Sequence, residues 1–272
     1  MKRLAKTLCV IITAAILFTL ALPAFAAEVG DATIDHTQTG SLSLYKYDIT
    51  SAEKDGVWTT GSYVSSGIED AAGVNAILGS TDMVRTLPNG DTSYGYAIKG
   101  VEFSYLKIAD IATVQQGNVV ETLYAFEAAD AALLSCFGLE LTDRISEDAG
   151  TYYFRTDALQ AGLSAALTTN ATAAKNSLEA YVKANGGVAM SETDSNGYST
   201  VAELPLGLYL LVETSVPEYV ITTTNPFFVS LPMTTINGDE WNYDVTVYPK
   251  NQTGMPTLEK TVREAAMDTG KN

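Results

Sequence analysis

Cysteine, histidine and basic residues are all scarce in this chain of 272 residues. There are two cysteines, one histidine, and 16 lysines and arginines against 32 acidic residues, which gives a net charge of −16. Cys9 lies in an N-terminal apolar run, so Cys136 is the one cysteine of the remaining chain, and no internal disulfide can form there. Because its neighbours are apolar, Cys136 is expected to be a small buried hydrophobic residue and not a reactive thiol.

The first 26 residues have the pattern of a secretory signal peptide. Lys2, Arg3 and Lys6 precede an apolar run over residues 8–22, and a small-x-small cleavage site ends at Ala26. The run is short for the alternative, a membrane anchor. Cleavage leaves 13 basic against 32 acidic residues, a net charge of −19. The mature chain is therefore expected to be secreted, and nucleic acid is a poor partner for it.

Motifs for hydrolysis and metal binding are also missing. The single histidine, His36, lies near the mature N-terminus outside any apolar pattern, and neither H-E-x-x-H nor G-x-S-x-G occurs. The acidic turn at 193–197 lacks the further carboxylates of a calcium loop. We expect no metal and no cofactor, and a secreted hydrolase is disfavoured as an alternative.

Alternating apolar residues predict a mainly β protein. Many short strands separated by turn signals are typical of a two-sheet sandwich. Between about 128 and 185 the apolar period becomes helical, which predicts an inserted segment of two or three helices, with Asn170 as an N-cap. The predicted strands cover residues 40–49, 101–108, 121–126, 198–202, 206–214, 225–231 and 241–248.

A lysine is in register with the apolar side chains of the first predicted strand. Leu42, Leu44 and Lys46 share one parity in G-S-L-S-L-Y-K-Y-D-I. An unpaired ammonium group is costly to bury. Lys46 therefore either has a partner in the core or lies at the strand end and extends to water.

The last predicted strand, W-N-Y-D-V-T-V-Y-P-K-N over residues 241–251, places an amide and an amine side by side. Asn251 has the parity of Val245 and Val247, whereas Lys250 has the opposite parity. If the valines face the core, Asn251 faces inward and Lys250 points to solvent. Asn242 has the outward parity, so it is a weaker rival for any role in the core.

Lys46, Asn251 and Glu213 together suggest a covalent crosslink. The first and last strands of a sandwich can be neighbours, and a buried lysine can lose its proton and become a nucleophile. A carboxyl group kept protonated in the same site can hydrogen-bond the amide and carry protons. The predicted product is a Lys46–Asn251 isopeptide bond with ammonia released, in a single intramolecular turnover.

The lysine pattern of the first strand is repeated near the end of the chain. After a predicted linker at 253–256, residues Leu258, Lys260 and Val262 share one parity. The repeat predicts that residues 257–272 form the first strand of a truncated second domain. Lys260 is then the candidate crosslinking lysine of that domain.

Three stretches resemble Gram-positive sortase-assembled pilins, in order over residues 1–262. Y-L-L-V-E-T-S-V-P-E-Y (209–219) resembles their E-box, residues 241–251 resemble their pilin motif, and L-S-L-Y-K-Y-D resembles the first strand of Cna B-type domains. The resemblance implies an Ig-like sandwich forming an N-terminal pilin domain over 27–252. It also implies that Glu213 is the catalyst of the internal bond, and that Lys250 accepts the neighbouring subunit from a sortase.

The function implied by the resemblance is that of a structural backbone subunit. Such a chain belongs to a covalently polymerised pilus, or fimbria, on the cell wall of a Gram-positive bacterium. Its partners are neighbouring pilin subunits and a pilus-specific sortase, and it is not an enzyme that turns over substrates. The alternative is a cell-surface adhesin or minor pilin that binds a host ligand, which would share the fold and the internal bond; the motif around Lys250 favours the backbone subunit.

Overall fold

The computed structural model of the chain describes residues 27–28, 34–59, 61, 63, 66–116, 119–234 and 240–253. The predicted signal peptide with its cleavage site at Ala26, and Lys260 with the predicted second-domain strand, lie outside these residues. Within the described ranges, no helix has the length and apolar character needed to span a membrane. The same residues contain no group of three or more His, Cys, Asp or Glu side chains placed to hold a metal ion.

The described residues form 18 strands, most of them short, and four helices, which confirms the predicted mainly β class with a helical segment. The strands are β1 (Ala27–Glu28), β2 (Gly40–Tyr45), β3 (Tyr47–Asp48), β4 (Val84–Thr86), β5 (Thr92–Tyr94), β6 (Glu102–Gln116), β7 (Val119–Glu127), β8 (Ser146–Asp148), β9 (Thr151–Arg155), β10 (Val188–Ala189), β11 (Tyr198–Leu204), β12 (Gly207–Ser215), β13 (Val220–Thr222), β14 (Phe227–Leu231), β15 (Met233–Thr234), β16 (Trp241–Asn242), β17 (Asp244–Val247) and β18 (Lys250–Thr253). The helices are α1 (Ile49–Lys54), α2 (Val74–Leu78), α3 (Ala131–Cys136) and α4 (Thr156–Ala184), with 3-10 turns at Ala128–Asp130 and Leu141–Asp143.

One large sheet and two three-stranded sheets organise the domain. The large sheet has the order β14-β12-β6-β7-β9-β8, with β1 added to β7 and β10 added to β6. The smaller sheets have the orders β11-β2-β17 and β13-β18-β3. The first and last of the predicted strands are neighbours, because β17 pairs in parallel with β2 and β18 pairs in parallel with β3.

The main core contains side chains of the large sheet, of the sheet that contains β2, and of the helices α3 and α4. Along β2 the side chains alternate between buried and partly exposed, with Leu42 and Leu44 fully buried. They belong to one apolar cluster with Val245 and Val247 of β17 and with the residues of β12. A second, smaller cluster contains aromatic side chains of β3 and its neighbours: Tyr47, Trp58, Tyr96 and Tyr248.

The predicted helical segment contains the expected helices but also two strands that the sequence did not indicate. The strands β8 and β9 lie between α3 and α4 and extend the large sheet beyond β7. Asn170 interrupts α4 with a non-helical conformation, and its side-chain oxygen accepts a hydrogen bond from the Ala173 N–H at 3.0 Å, as an N-cap does. Cys136, expected to be buried, is half-buried at the end of α3.

The stretch 241–251 is not the single alternating strand that its pattern predicted. The strand β17 ends at Val247, and β18 begins at Lys250 in a different sheet. Pro249 has no N–H to donate to the ladder, so the register does not continue across it. Lys250, expected to face solvent, is buried, and so is Tyr248, which has the same parity as Lys250. The strand β18 also extends to Thr253, which the sequence had assigned to a linker.

Candidate functional site

Lys46 occupies the bend between β2 and β3 and points into the core. Its N–H donates to the Gly197 carbonyl at 2.8 Å, and its own carbonyl accepts from the Ile98 N–H at 2.9 Å. Gly197 has φ +70°, and a Cβ there would lie 2.4 Å from the Lys46 carbonyl oxygen, so the position favours glycine. The Lys46 side chain is 0% exposed and lies over the Phe103 ring, 5.1 Å from its centroid. The alternative in which Lys46 extends to water is therefore wrong.

The structure brings Lys46, Glu213 and Asn251 into mutual contact. Lys46 Nζ lies 2.6 Å from Glu213 Oε1 and 2.7 Å from Asn251 Oδ1. The Asn251 amide nitrogen donates to the same carboxylate, at 3.0 Å from Oε1 and 3.2 Å from Oε2. The amine, the carboxyl group and the carboxamide thus meet in one buried cluster, although Lys46 and Asn251 are 205 residues apart in the sequence.

Glu213 and Asn251 lie in different sheets, and Lys46 lies in the bend between β2 and β3. Glu213 lies near the end of β12, the strand flanked by β14 and β6 in the large sheet, and opposite Phe103 of β6. Asn251 pairs with Asp48 in the parallel ladder between β18 and β3, next to the bend that carries Lys46. The site is therefore assembled by long-range pairing and not by any local motif.

A fourth residue, Thr224, contacts all three and was missed by the sequence analysis. Its N–H donates to Glu213 Oε2 at 2.7 Å, and its hydroxyl donates to Asn251 Oδ1 at 2.8 Å. Lys46 Nζ in turn donates to the Thr224 hydroxyl. Thr224 lies in the segment between β13 and β14. This segment is neither strand nor helix, so the spacing of its residues does not indicate which side chains point inward. No signal in the sequence singled it out from the neighbouring threonines.

Burial controls the protonation of the amine. Loss of hydration lowers the pKa of Lys46 from 10.5 to about 8, and the nearby Glu213 carboxylate opposes this shift. The ammonium of Lys175, on α4, also lowers the pKa of Lys46. A substantial fraction of a lysine with such a pKa is neutral near physiological pH, and a neutral amine is a nucleophile.

A cleft connects this buried cluster to the surface beside α4. It has a volume of about 200 Å³ and is lined on one side by Lys175 and on the other by Glu213 and Thr224. Lys175 Nζ donates to the carbonyl and the hydroxyl oxygen of Thr223, at 2.8 and 3.0 Å. The helical segment therefore contributes a side chain to the wall of the site.

Lys250 lies on the same strand as Asn251 but in a separate aromatic environment. Lys250 is 8% exposed, and its Nζ donates to the Tyr248 carbonyl at 3.0 Å. The ammonium also lies over the rings of Trp58 and Tyr63, at 5.2 and 5.6 Å from their centroids. Burial lowers its pKa from 10.5 to about 7, and the charge of Lys46 adds to this shift. The predicted outward orientation of Lys250 is wrong because both faces of β18 are covered at this point.

The rival amide, Asn242, is engaged elsewhere. Its nitrogen donates to the Gly67 carbonyl at 2.9 Å, and its oxygen accepts from the Asp244 N–H at 3.0 Å. Lys46 is not among the hydrogen-bond partners that the structure describes for Asn242. Asn251 is therefore the carboxamide that the structure places against the buried amine.

Comparisons with known proteins agree with the resemblance noted in the sequence. Residues 142–252 match the sequence model of the N-terminal domain of Gram-positive pilin subunit D1. The chain is similar to fimbrial subunit type 2 of Actinomyces naeslundii, with 39% identity over 64 residues, and to fimbrial subunit type 1 of Actinomyces viscosus, with 45% identity over 62 residues. These alignments cover 22% of this chain and only 12% and 11% of the two relatives.

Among solved structures, the chain is similar to the full-length major pilin SpaD from Corynebacterium diphtheriae. The identity is 20% and the TM-score 0.39, and the match covers 81% of this chain and 34% of that one. The chain thus spans about a third of this pilin and a still smaller part of the two curated relatives. The predicted resemblance to Gram-positive pilins is confirmed by the family match and by the two fimbrial relatives.

Proposed function

We propose that this chain, whose residues 142–252 match the Gram-positive pilin D1 family, is a structural shaft subunit of a surface pilus. Its place is outside the cell, on the bacterial cell wall, and it turns over no substrate. The relatives named above are fimbrial subunits, which supports this assignment. The main structural support for this proposal is the contact of Lys46 with both Glu213 and Asn251 in a buried site.

The chemistry proposed for this site is formation of one amide bond. The reactive form is the neutral pair, and it is reached when a proton passes from Lys46 Nζ to the Glu213 carboxylate across their 2.6 Å contact. The neutral amine attacks Cγ of Asn251, and a C–N bond forms. Glu213 gives a proton to the amide nitrogen and takes one from Nζ as the old C–N bond breaks. At this point Glu213 is protonated again and the leaving group is ammonia. The ammonia then takes that proton, so the final products are the Lys46–Asn251 amide, ionised Glu213 and one ammonium ion.

Mechanical load gives the reason for such a bond. The mature chain has a single cysteine and therefore no internal disulfide. The strands next to Lys46 and Asn251 come from opposite ends of the domain's sequence. Short parallel ladders hold them together in the fold. A covalent tie between them prevents these strands from separating when the ends of the chain are pulled.

The mass of the intact protein tests the internal bond. The wild-type chain is expected to be lighter than its sequence by one ammonia, and Glu213→Ala is expected to have the full sequence mass because the proton carrier is lost. The matched control is Glu218→Ala, which removes an exposed carboxylate a few residues along the chain. A folded wild-type protein with the full sequence mass would refute the bond.

The second bond proposed for this chain joins subunits through Lys250. A sortase holds the neighbouring subunit as an acyl-enzyme, and the Lys250 amine attacks that acyl group. Its lowered pKa, about 7, supports the role, because about half of the amine is neutral at pH 7. Since the side chain is buried, the Trp58 and Tyr63 rings have to move before the amine can reach a sortase.

Polymerisation with the cognate sortase tests this role. In the full-length pilin, Lys250→Arg is expected to abolish the ladder of high-molecular-weight products, because arginine retains the charge but is not a nucleophile at neutral pH. The control is Lys54→Arg, which changes an exposed lysine at the end of α1. An undiminished ladder from the Lys250→Arg pilin would refute the proposed attachment point.

A further inference from the structure

Thr224 touches every group that takes part in the proposed crosslinking reaction. Its hydroxyl lies 2.8 Å from Asn251 Oδ1 and accepts a hydrogen bond from Lys46 Nζ. Its main-chain N–H lies 2.7 Å from Glu213 Oε2. The hydroxyl also lies 3.3 Å from the Lys250 carbonyl, a longer and weaker contact than the one to Asn251. A residue needed only for packing would not require this set of contacts.

We propose that Thr224 is a catalytic residue of the crosslinking reaction, in which its hydroxyl stabilises the negative charge that develops on Asn251 Oδ1. The inference rests on the proposed internal bond and adds to it a residue with a defined role. Hydrogen-bond donors aimed at a developing oxyanion in a site that excludes water are among the strongest contributions to catalysis.

The hydrogen bonds of the amide oxygen change when the amine attacks, and this makes the hydroxyl necessary. Before the reaction, Oδ1 accepts from both Lys46 Nζ and the Thr224 hydroxyl. To attack Cγ, the nitrogen has to lose a proton and turn its lone pair toward the carbon, so it stops donating to Oδ1. Of the donors that the structure describes on this oxygen, the Thr224 hydroxyl is the one that remains while the C=O bond becomes a C–O⁻ single bond.

Thr224 neither gains nor loses an atom in the proposed reaction. The hydroxyl retains its proton and gives only a hydrogen bond, which is strongest when the oxygen is negative. When the tetrahedral intermediate collapses, the C=O bond forms again and the negative charge on the oxygen is lost. The former amide nitrogen, which has taken the proton of Glu213, leaves as ammonia. Because Thr224 also accepts a hydrogen bond from Lys46 Nζ, it keeps the amine and the amide oxygen in a fixed relative position before the attack.

The segment that carries Thr224 is held in place from two sides, as a preorganised donor requires. The Lys175 ammonium binds the carbonyl and hydroxyl of the preceding residue, Thr223, at 2.8 and 3.0 Å. Pro226, which lines the same cleft, follows two residues later and is buried. Thr224 therefore does not have to reorganise when charge develops on Asn251.

The rate at which ammonia is lost after synthesis tests the inference. The full chain is made by a short pulse of cell-free synthesis, and intact mass spectrometry follows the crosslinked fraction with time. Thr224→Val, which keeps the shape but removes the hydroxyl, is expected to slow the reaction by about 10²-fold, as loss of one oxyanion donor does. Thr224→Ser, which keeps the hydroxyl, is expected to stay within about threefold of the wild-type rate by the same argument. Thr222→Val is the matched control, since that exposed hydroxyl bonds only to Gln252 in the described structure.

The outcomes separate this inference from the proposed function. If the wild-type chain never loses ammonia, the internal bond is refuted and Thr224 has no reaction to catalyse. If the wild type reacts and a folded Thr224→Val chain reacts at the same rate, the role of Thr224 is overturned while the bond stands. If Thr224→Val does not fold, Thr224→Ala is compared with Thr224→Ser. Equal rates for that pair overturn the inference, and a large difference supports it.

Discussion

The double variant Lys46→Met/Glu213→Gln isolates the contribution of the proposed internal bond to stability. Changing Lys46 or Glu213 alone would leave the other charge buried without its partner, which is destabilising for a separate reason. Replacing both charges with neutral side chains of similar size removes that effect and often costs little. A glutamine oxygen at the position of Oε2 can still accept the hydrogen bonds that come from the Thr224 N–H and the Asn251 amide nitrogen.

The magnitude follows from the length of the closed loop. Lys46 and Asn251 are separated by 205 positions. In the chain-entropy treatment used for disulfides, a loop of this length restricts the unfolded chain by about 5 kcal/mol at 25 °C. A domain of roughly 220 residues has an unfolding entropy that converts such a loss into a fall in the melting temperature on the order of 10 °C. The double variant is therefore expected to have the full sequence mass and to melt on the order of 10 °C below the wild type.

Thermal unfolding followed by circular dichroism, with intact mass spectrometry on the same samples, measures both quantities. The comparison is valid only between a wild-type sample that has fully lost ammonia and a variant sample that has lost none. The reasoning would be refuted by a folded double variant of full mass that melts within about two degrees of the crosslinked wild type, since the unfolded chain would then gain no freedom when the tie is removed.

Three further predictions concern the two buried lysines. Trp58→Ala is expected to make Lys250 react faster with an amine-directed acylating reagent in peptide mass mapping, because the ring lies over the ammonium; an unchanged rate would contradict the buried position, and exposed Lys54 provides the reference rate. Burial lowers the pKa of Lys250 from 10.5 to about 7. Between these two pH values the unfolded chain binds the proton that the folded chain has released, so the free energy of unfolding should rise with pH. Denaturant titrations should show that this rise is smaller in Lys250→Met, and an identical pH dependence would be evidence against the shift. Gly197→Ala should slow the loss of ammonia after synthesis, because a Cβ lies 2.4 Å from the Lys46 carbonyl at a φ of +70°; a wild-type rate would show that the bend does not position Lys46.

The alternation of side chains along a strand correctly predicted their direction when the strand stays in one sheet. The inward direction of Lys46 follows from its register with Leu42 and Leu44, and the structure has all three fully buried. This worked because β2 alternates regularly up to Tyr45 and the bend after it does not turn the next side chain outward. The pairing of the first and last strands was also predicted, since it follows from the closure of a sandwich.

The same rule failed for Lys250 because the chain changes sheets. Parity was counted through Pro249, where the ladder ends and β18 starts against β3. The prediction for Asn251 was therefore right in direction although the argument for it was not valid across the proline. A count of parity also cannot tell that the outer face of a strand is covered by side chains such as Trp58, which come from a distant loop.

Thr224 and the strands β8 and β9 show what the spacing of apolar residues in the sequence cannot predict. Thr224 gains its role only from contacts with residues far away in the sequence, and it lies where the backbone has no regular period. The strands β8 and β9 are short, and the side chains of β8 are exposed throughout, so burial imposes no alternation on them. A strand has an informative alternation of apolar and polar residues only where one of its faces is buried.

The two bonds proposed here meet on one strand, and this has a mechanical consequence. Lys250 and Asn251 are adjacent on β18 but face different clusters, one against Trp58 and the other against Lys46. Force that enters the subunit through Lys250 crosses a single peptide bond to Asn251 and then passes through the internal bond to Lys46, on the side of β2. The hydrogen-bonded ladders of β18 with β3 and β13 are thereby bypassed. The internal bond is thus placed to carry the load at the point where it is applied, which a crosslink elsewhere in the sandwich would not do.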